Sequence, residues 1–191
     1  MTSAAGTTAT TIRRATAADA ALFTALAQST FVDTFGADNT PGDMALYLAD
    51  AFGEDIQRGE LGDGRNTVLF AERGGALVGY AMLREDNAPA CVVDRSALEI
   101  ARLYAVSHAI GKGIGAALMQ GCLDVAAARG RRAVWLGVWE RNPRAIAFYR
   151  KWEFVDVGAK AFVLGRDHQN DRVMTRAVGR AEHQGVACAI P

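Results

Sequence analysis

Cysteine is scarce in this chain of 191 residues, which contains only Cys91, Cys122 and Cys188 and no CxxC pair. An odd number of widely spaced cysteines argues against a disulfide framework, and the lack of paired spacing argues against a structural zinc site. We therefore expect a cytoplasmic protein in a reducing compartment, with no metal in its site.

Net charge is absent as well, because 21 lysine and arginine residues balance 21 aspartate and glutamate residues. Without an overall field, the chain has no general attraction for nucleic acid or for an anionic membrane. The longest apolar run, residues 76–83, is far shorter than the roughly 20 residues that span a bilayer. The sequence thus predicts a soluble protein in which any charged ligand is bound by local groups.

Hydrophobic residues, by contrast, make up 50% of the chain, which is enough to bury one sizeable core. The length fits one domain better than two. Residues 1–10 and 179–191 show no hydrophobic periodicity. We therefore expect flexible tails at both ends of a single domain that covers residues 11–178.

The first half of the chain predicts a short strand, two helices and a hairpin that turns at Gly74-Gly75. From residue 98 onward strands alternate with helices, which predicts one βαβ unit in a mixed α/β fold. The predicted strands are residues 12–14, 67–73, 76–84, 98–106, 133–138, 154–164 and 172–178. The predicted helices are residues 16–34, a segment beginning at Pro41, and residues 114–129 and 143–152.

A glycine-rich loop precedes the helix that is predicted to begin at Ile114, with glycines at positions 111, 113 and 115. Glycines allow backbone N–H groups to approach an anion closely, and a helix start adds partial positive charge, so a pyrophosphate fits here. The alternative is a connection that only lets the helix pack tightly against the sheet. A Walker P-loop is excluded, because GxxxxGK[ST] does not occur in the chain.

A dinucleotide-binding fingerprint is a second alternative. Gly111, Gly113 and Ala116 satisfy G-x-G-x-x-G/A, and Glu140 follows the next predicted strand, where a ribose-binding acid is expected. However, residues 107–110 separate the loop from its strand, and too few βαβ units follow to build both nucleotide-binding halves. These two features weigh against the dinucleotide interpretation.

The central segment resembles the GNAT superfamily of N-acetyltransferases. The resemblance lies in "LYAVSHAIGKGIGAALM" followed by "WLGVWERNPRAIAFYRKWEF", in which Asn142 precedes Tyr149 by seven residues as in that superfamily. Toward the ends, "STFVDTFGADN" and "FVLGRDHQNDRVM" are similar to bacterial polyamine acetyltransferases of the same superfamily.

This resemblance implies a GNAT-like mixed sheet of about seven strands flanked by helices, with a central βαβ acetyl-CoA unit. It implies acetyl-CoA as the cofactor and transfer of its acetyl group to a primary amine, either a polyamine or another small amine. A noncatalytic acyl-CoA-binding module and an acetyltransferase for a protein or peptide amine are the alternatives, and a homodimer is left open. The implied cofactor-binding residues are Tyr104, Ala105, Val106, Gly111, Lys112, Gly113, Ile114, Gly115, Ala116, Asn142 and Tyr149.

Three positions depart from the superfamily pattern. Ile110 stands where the loop has glutamine or arginine, which removes one side-chain contact to the pyrophosphate. Glu153 stands where glycine is usual, which predicts an altered turn. Gly137 occupies the position of the glutamate base of members that acetylate protein N-termini, which argues against that activity.

Tyr149 is the candidate catalytic acid, because a phenol with a pKa of ~10 is protonated at neutral pH and can donate to a thiolate. Packing beside Phe148 and Trp152 is the alternative role. Glu99 is the candidate base by resemblance to histone-directed members, and an ion pair with an arginine such as Arg102 or with a neighbouring strand is its alternative. His108, acting through a water molecule, is another candidate base.

Two further groups of residues are ambiguous. Arg129, Arg131 and Arg132 could meet a nucleic acid or the 3′-phosphate of coenzyme A, but cations also stabilise the C-terminal end of a helix. Acidic and aromatic residues that suit a cationic amine occur together near the first two helices. Because aromatics at helical spacing are more often core residues, we assign none of this second group to the site: Phe31, Asp33, Phe35, Asp38 and Tyr47.

Overall fold

The computed structural model describes residues 9–85 and 88–179, so the predicted tails lie outside the described residues except for positions 9, 10 and 179. Seven strands form one mixed sheet in the order β1-β2-β3-β4-β5-β7-β6. The strands are β1 (Thr11–Arg14), β2 (Asn66–Arg73), β3 (Ala76–Arg84), β4 (Leu98–Ala105), β5 (Ala133–Trp139), β6 (Val155–Leu164) and β7 (Asp167–Ala177). The helices are α1 (Ala20–Phe35), α2 (Pro41–Ala51), α3 (Glu54–Gly62), α4 (Ile114–Ala128) and α5 (Pro143–Lys151). The predicted mixed α/β fold with about seven strands is confirmed.

Local signals explain where several elements begin and end. The Thr16 N–H donates to the Asp19 carboxylate at 2.8 Å and starts a short 3₁₀ turn that leads into α1. Pro41 occupies the first turn of α2, where its missing N–H costs no hydrogen bond. Gly130 ends α4 with a φ of 65°, a conformation that glycine adopts without strain.

Two elements differ from the sequence prediction. Helix α3 was not predicted, because it contains glycines at positions 59 and 62 and too few apolar residues to show a helical hydrophobic period. Contacts with distant residues support this helix, among them an ion pair between Glu60 and Arg102 at 2.7 Å. Strand β7 begins at Asp167, five residues earlier than predicted, because its polar first half pairs with β6 rather than forming a turn.

The sheet opens between β4 and β5. These strands pair in parallel only at Leu98–Val134 and Glu99–Trp135. Beyond that point β4 stays paired with β3, with a bulge near Ala101, whereas β5 stays paired with β7. Because each strand follows a different neighbour, the two diverge and leave a gap in the middle of the sheet.

Each face of the sheet has its own hydrophobic core. On one face α4 and α5 pack through residues such as Leu118 and Cys122. On the other face the core includes Phe23, Phe31 and Tyr80, and residues of α1 and α2 belong to it. Within the described ranges, no helix combines the length and apolar character needed to cross a bilayer. The gap between β4 and β5 is thus flanked by packed helices on both faces.

Candidate active site

A cavity of about 550 Å³ occupies the gap between β4 and β5. One part, here called the cofactor half, is lined by the glycine loop, the start of α4, and α5. The other part, the acceptor half, is lined by side chains of α1, α2, β6 and β7 together with those of β3, β4 and β5. Two ligands that approach from opposite sides can therefore meet where the strands separate.

The glycine loop presents unused backbone donors to the cofactor half. Gly111 and Gly113 have φ values of 78° and 84°, and a Cβ at either position would meet nothing within 4 Å. The first hydrogen bond of α4 runs from Ala117 N to Gly113 O, so the N–H groups of Gly115 and Ala116 have no intrahelical acceptor. Open space, free N–H groups and a helix start together fit a pyrophosphate.

Lys112 and Ile114 lie off the cavity wall, although both were expected to bind the cofactor. The Lys112 N–H donates to Ala109 O at 3.2 Å, and the Lys112 carbonyl accepts from Arg73 at 2.9 Å. The Ile114 side chain is buried in the core, so only its backbone N–H in the first turn of α4 is available. By contrast, Arg144 of α5 lines the cavity and was not predicted.

On β4, Tyr104 and Ala105 line the cavity, but Val106 does not. The Val106 N–H donates to Val78 O at 3.0 Å, and the Val106 carbonyl accepts from Ala109 N at 2.9 Å. The backbone of Val106 is therefore engaged within the protein. Of the three consecutive residues expected to contact the cofactor through their backbone, Tyr104 and Ala105 therefore keep that prediction.

Asn142 and Tyr149 lie at opposite ends of α5, and both line the cavity. Asn142 caps the helix, because its Oδ1 accepts from Ala145 N at 3.0 Å. Tyr149 is buried, and this desolvation, together with the nearby Cys122, raises the pKa of the phenol. The Tyr149 hydroxyl therefore stays protonated at neutral pH, as a proton donor requires.

Aromatic rings form much of the acceptor half. Phe31 and Tyr47 stack with ring centroids 4.6 Å apart, and Phe35 meets Trp139 edge to face at 5.9 Å. Tyr47 also contacts Phe162 of β6 at 5.4 Å. Three of these residues belong to the acidic and aromatic group that sequence analysis noted without assigning it to the site. Their helical spacing was the available signal, and it did not distinguish a cavity wall from a core.

Glu99 lies in the cavity wall with its carboxylate already engaged. Its Oε2 accepts two hydrogen bonds from Arg84 at 2.9 and 3.0 Å, and Lys160 Nζ lies 3.8 Å from its Oε1. The ion pair forms with Arg84 on the neighbouring strand, whereas Arg102 pairs with Glu60 instead. The catalytic role of Glu99 stays a prediction, and its carboxylate already has partners within the protein.

Asp171 and Lys160 line the acceptor half beside Gly137, and neither was predicted as a site residue. A Cβ at Gly137 would lie 2.5 Å from Lys160 Cε and 2.9 Å from Asp171 Oδ2. The two side chains thus fill the space above this glycine. Burial raises the pKa of Asp171 to about 6, and the positive charge of Lys160 opposes the rise. Asp171 lies within the segment "FVLGRDHQNDRVM" that is similar to polyamine acetyltransferases, but the predicted strand began one residue after it and it was not predicted as a site residue.

Other candidates lie away from the cavity. His108 and Glu140 are exposed and are not part of its wall. The basic cluster makes local ion pairs instead: Arg129 and Arg131 contact Glu85 at 2.9 and 2.8 Å. Arg132 lies 3.5 Å from Asp94. These contacts hold the end of α4 to neighbouring loops.

The departure at Glu153 lies in the turn that follows α5. Glu153 has a φ of 63°, a left-handed conformation that is strained for residues other than glycine. The turn after α5 thus keeps the geometry that glycine favours. The unusual residue at this position changes the side chain and leaves the path of the chain unaltered.

Known proteins that are similar to this chain are acetyltransferases. Residues 29–154 match the acetyltransferase (GNAT) family. The chain is 35% identical over 156 residues to an uncharacterized N-acetyltransferase encoded in the pepI 3′ region of Lactobacillus delbrueckii subsp. lactis, covering 82% of this chain and 90% of that protein. It is 42% identical over 116 residues to an N-acetyltransferase of Mycobacterium bovis, covering 61% of this chain and 70% of that protein.

Solved structures share the fold. The PaiA N-acetyltransferase of Thermoplasma acidophilum in complex with coenzyme A aligns with a TM-score of 0.69 at 18% identity, covering 88% of this chain and 99% of that chain. The ribosomal-protein-S18-alanine N-acetyltransferase of Escherichia coli aligns with a TM-score of 0.66 at 15% identity, covering 92% and 98%. The family match and the sheet that opens between β4 and β5 agree with each other. This chain belongs to the GNAT family of acetyltransferases, which use acetyl-CoA.

Proposed function

We propose that this chain transfers the acetyl group of acetyl-CoA to a small primary amine, and that a polyamine is the first acceptor to test. The supporting observation is the acceptor half, in which aromatic rings and the carboxylate of Asp171 line the same cavity. Aromatic faces and a carboxylate both stabilise an ammonium group. A cavity of about 550 Å³ that also has to hold part of the cofactor favours a slender amine over a folded protein surface.

The cofactor supplies the activated acetyl group and leaves as a thiol. Backbone groups at Tyr104 and Ala105 hold the thioester where β4 separates from β5. Tyr149 holds the proton that the leaving sulfur requires. Fixing both reactants in one geometry contributes ~7 to 11 kcal/mol to lowering the barrier, so these positioning groups matter as much as any acid or base.

A peptide or protein amine is the second candidate. Two solved structures with this fold, from Escherichia coli and Brucella melitensis, are alanine N-acetyltransferases of ribosomal proteins. Arg84, Arg102 and Lys160 also line the acceptor half. The two arginines form ion pairs with Glu99 and Glu60, and Lys160, with its longer contact, suits an acidic group near the acceptor amine. This mixture of charges makes the acceptor class a question for direct measurement.

The test is a panel of acceptors with acetyl-CoA, in which free thiol is measured as the product. We expect spermidine and simple primary amines to give thiol release above the rate of thioester hydrolysis. Release with alanine-terminated peptides alone would favour the second candidate and contradict the small-amine proposal. Binding of acetyl-CoA without release in any reaction would indicate a noncatalytic acyl-CoA-binding module.

A further inference from the structure

Asp171 is a buried carboxylate in the cavity wall with no partner of its own. It is 9% exposed. Among residues 9–85 and 88–179, no cationic nitrogen lies within 4 Å of the Asp171 carboxylate, and no hydrogen-bond donor reaches it. Glu99, in contrast, accepts two hydrogen bonds from Arg84. Because a buried carboxylate without a partner is costly, its presence on a cavity wall points to a ligand.

The position of Asp171 places this carboxylate where the two halves of the cavity meet. Asp171 pairs with Trp139 of β5 and with Lys160 of β6. Its Oδ2 lies over Gly137, 2.9 Å from the point where a Cβ would be. Gly137 is two residues beyond Trp135, the last β5 residue that pairs with β4. The carboxylate therefore lies at the opening of the sheet, on the acceptor side.

The charged and titratable groups around Asp171 come from four elements. Lys160 of β6 faces it and is held by a contact with Glu99 of β4 at 3.8 Å and by the Trp135 ring at 5.2 Å. Tyr47 of α2 lines the same cavity, and burial together with the charge of Asp171 raises the pKa of that phenol. Arg84 of β3 lies beyond Glu99. Lys160 is thus the only cation among the described residues that acts directly on the pKa of Asp171.

We propose that Asp171 is the catalytic base that takes a proton from the ammonium group of the acceptor. This inference rests on the proposed transfer to an amine. The N–H bond of the ammonium breaks and an O–H bond forms on Asp171, which frees the nitrogen lone pair. That pair forms the C–N bond to the acetyl carbonyl carbon, and the C–S bond breaks with its electrons on sulfur.

The remaining protons also balance. Tyr149 gives its proton to the departing sulfur, and the second proton lost by the nitrogen restores the phenol. Asp171 releases its proton to solvent before the next turnover. A base is needed because a free primary amine, by analogy with lysine at a pKa of ~10.4, is neutral in only about one molecule in a thousand at pH 7.

The test compares pH profiles of kcat/KM for spermidine, measured by thiol release from acetyl-CoA with the full chain. For the unmodified protein we expect kcat/KM to rise with pH through about 6, as Asp171 ionises, and then to stay level until the amine itself loses its proton. In Asp171→Asn the rise near pH 6 disappears. Its kcat/KM at pH 7 falls by about 10²- to 10⁴-fold and increases tenfold per pH unit toward the pKa of the amine.

Two other variants complete the test, one as a matched control and one that changes the pKa of Asp171. Asp156→Asn removes another carboxylate of β6, which pairs with Arg150 of α5 and lies away from the cavity, and this variant should retain the normal profile. Lys160→Gln removes the positive charge that lowers the pKa of Asp171, so the rise in kcat/KM should move to higher pH. The pH profile of Lys160→Gln still tests the role of Asp171 if Asp171→Asn does not fold.

Several outcomes would overturn the inference. An Asp171→Asn protein that keeps the rise near pH 6, or a Glu99→Gln protein that loses it, would assign the base elsewhere. An unshifted profile in Lys160→Gln would also contradict a role for Asp171. If the unmodified protein gives no thiol release with any amine, the proposed transfer itself fails, a result that differs from turnover that survives the loss of Asp171. Acetyl-CoA affinity should be unchanged in Asp171→Asn. Its melting temperature at pH 7 should stay the same or rise, because the neutral amide removes the cost of a buried carboxylate without a partner, and this separates the role from a structural one.

Discussion

The two halves of the cavity are built in different ways. The cofactor half comes from one continuous stretch, β4 to α5, and much of its chemistry is backbone N–H groups fixed by glycines and a helix start. The acceptor half collects side chains from α1, α2, β6 and β7, which are far apart in the sequence. A site made of backbone can be recognised from local spacing, whereas a site made of side chains depends on how the whole chain folds.

Because the two halves are built differently, the residues of one half can change without affecting the other. A glycine loop holds the same cofactor whichever side chains surround it. The aromatic and charged residues of the acceptor half can vary without disturbing that loop. Substitutions in one half should therefore affect one ligand, except at the groups that act where both ligands meet.

Tyr149 lies at such a point, and its substitution should have the largest effect. Tyr149→Phe removes the hydroxyl but keeps the ring that packs against Phe148 and Phe154. We expect kcat to fall by about a hundredfold or more with little change in acetyl-CoA affinity, because general acid catalysis contributes ~10²- to 10⁴-fold. Steady-state thiol release and a binding titration measure the two quantities. Turnover within a few fold of the unmodified protein would make Tyr149 a packing residue.

A change at the glycine loop should affect only the cofactor half. Gly113→Ala places alanine in a left-handed conformation that costs ~1–2 kcal/mol. We expect the unliganded loop to relax out of this conformation, so that binding must restore it and acetyl-CoA should bind about tenfold more weakly. The KM for the amine should change little. Gly59→Ala in α3 is the matched control, because a Cβ there meets nothing within 4 Å and alanine favours a helix. Equal loss of affinity in both variants would contradict a specific role for the loop.

The same contrast explains what the sequence could predict. The glycine loop, Asn142 and Tyr149 lie within a segment whose period and spacing are local, and all line the cavity. The engagement of Val106 by Val78 could not be predicted, because it depends on pairing with a distant strand. Asp171 was missed for a related reason: its polar segment becomes a strand only through its pairing with β5 and β6.

The smallest expected effect concerns Asn142, where the structural and cofactor roles can be separated. Asn142→Ala removes the cap of α5 and should lower stability by ~1 kcal/mol, or the melting temperature by about 2–4 °C.

Asn142→Ser keeps a capping oxygen and should restore the melting temperature, since serine caps a helix about as well as asparagine. Neither variant retains the side-chain amide N–H, so both should bind acetyl-CoA more weakly by the value of one hydrogen bond, ~0.5–1.5 kcal/mol. Thermal unfolding and an acetyl-CoA titration give the two readouts. If serine restores affinity together with stability, Asn142 acts on the cofactor half only by holding the start of α5, and its amide makes no contact of its own.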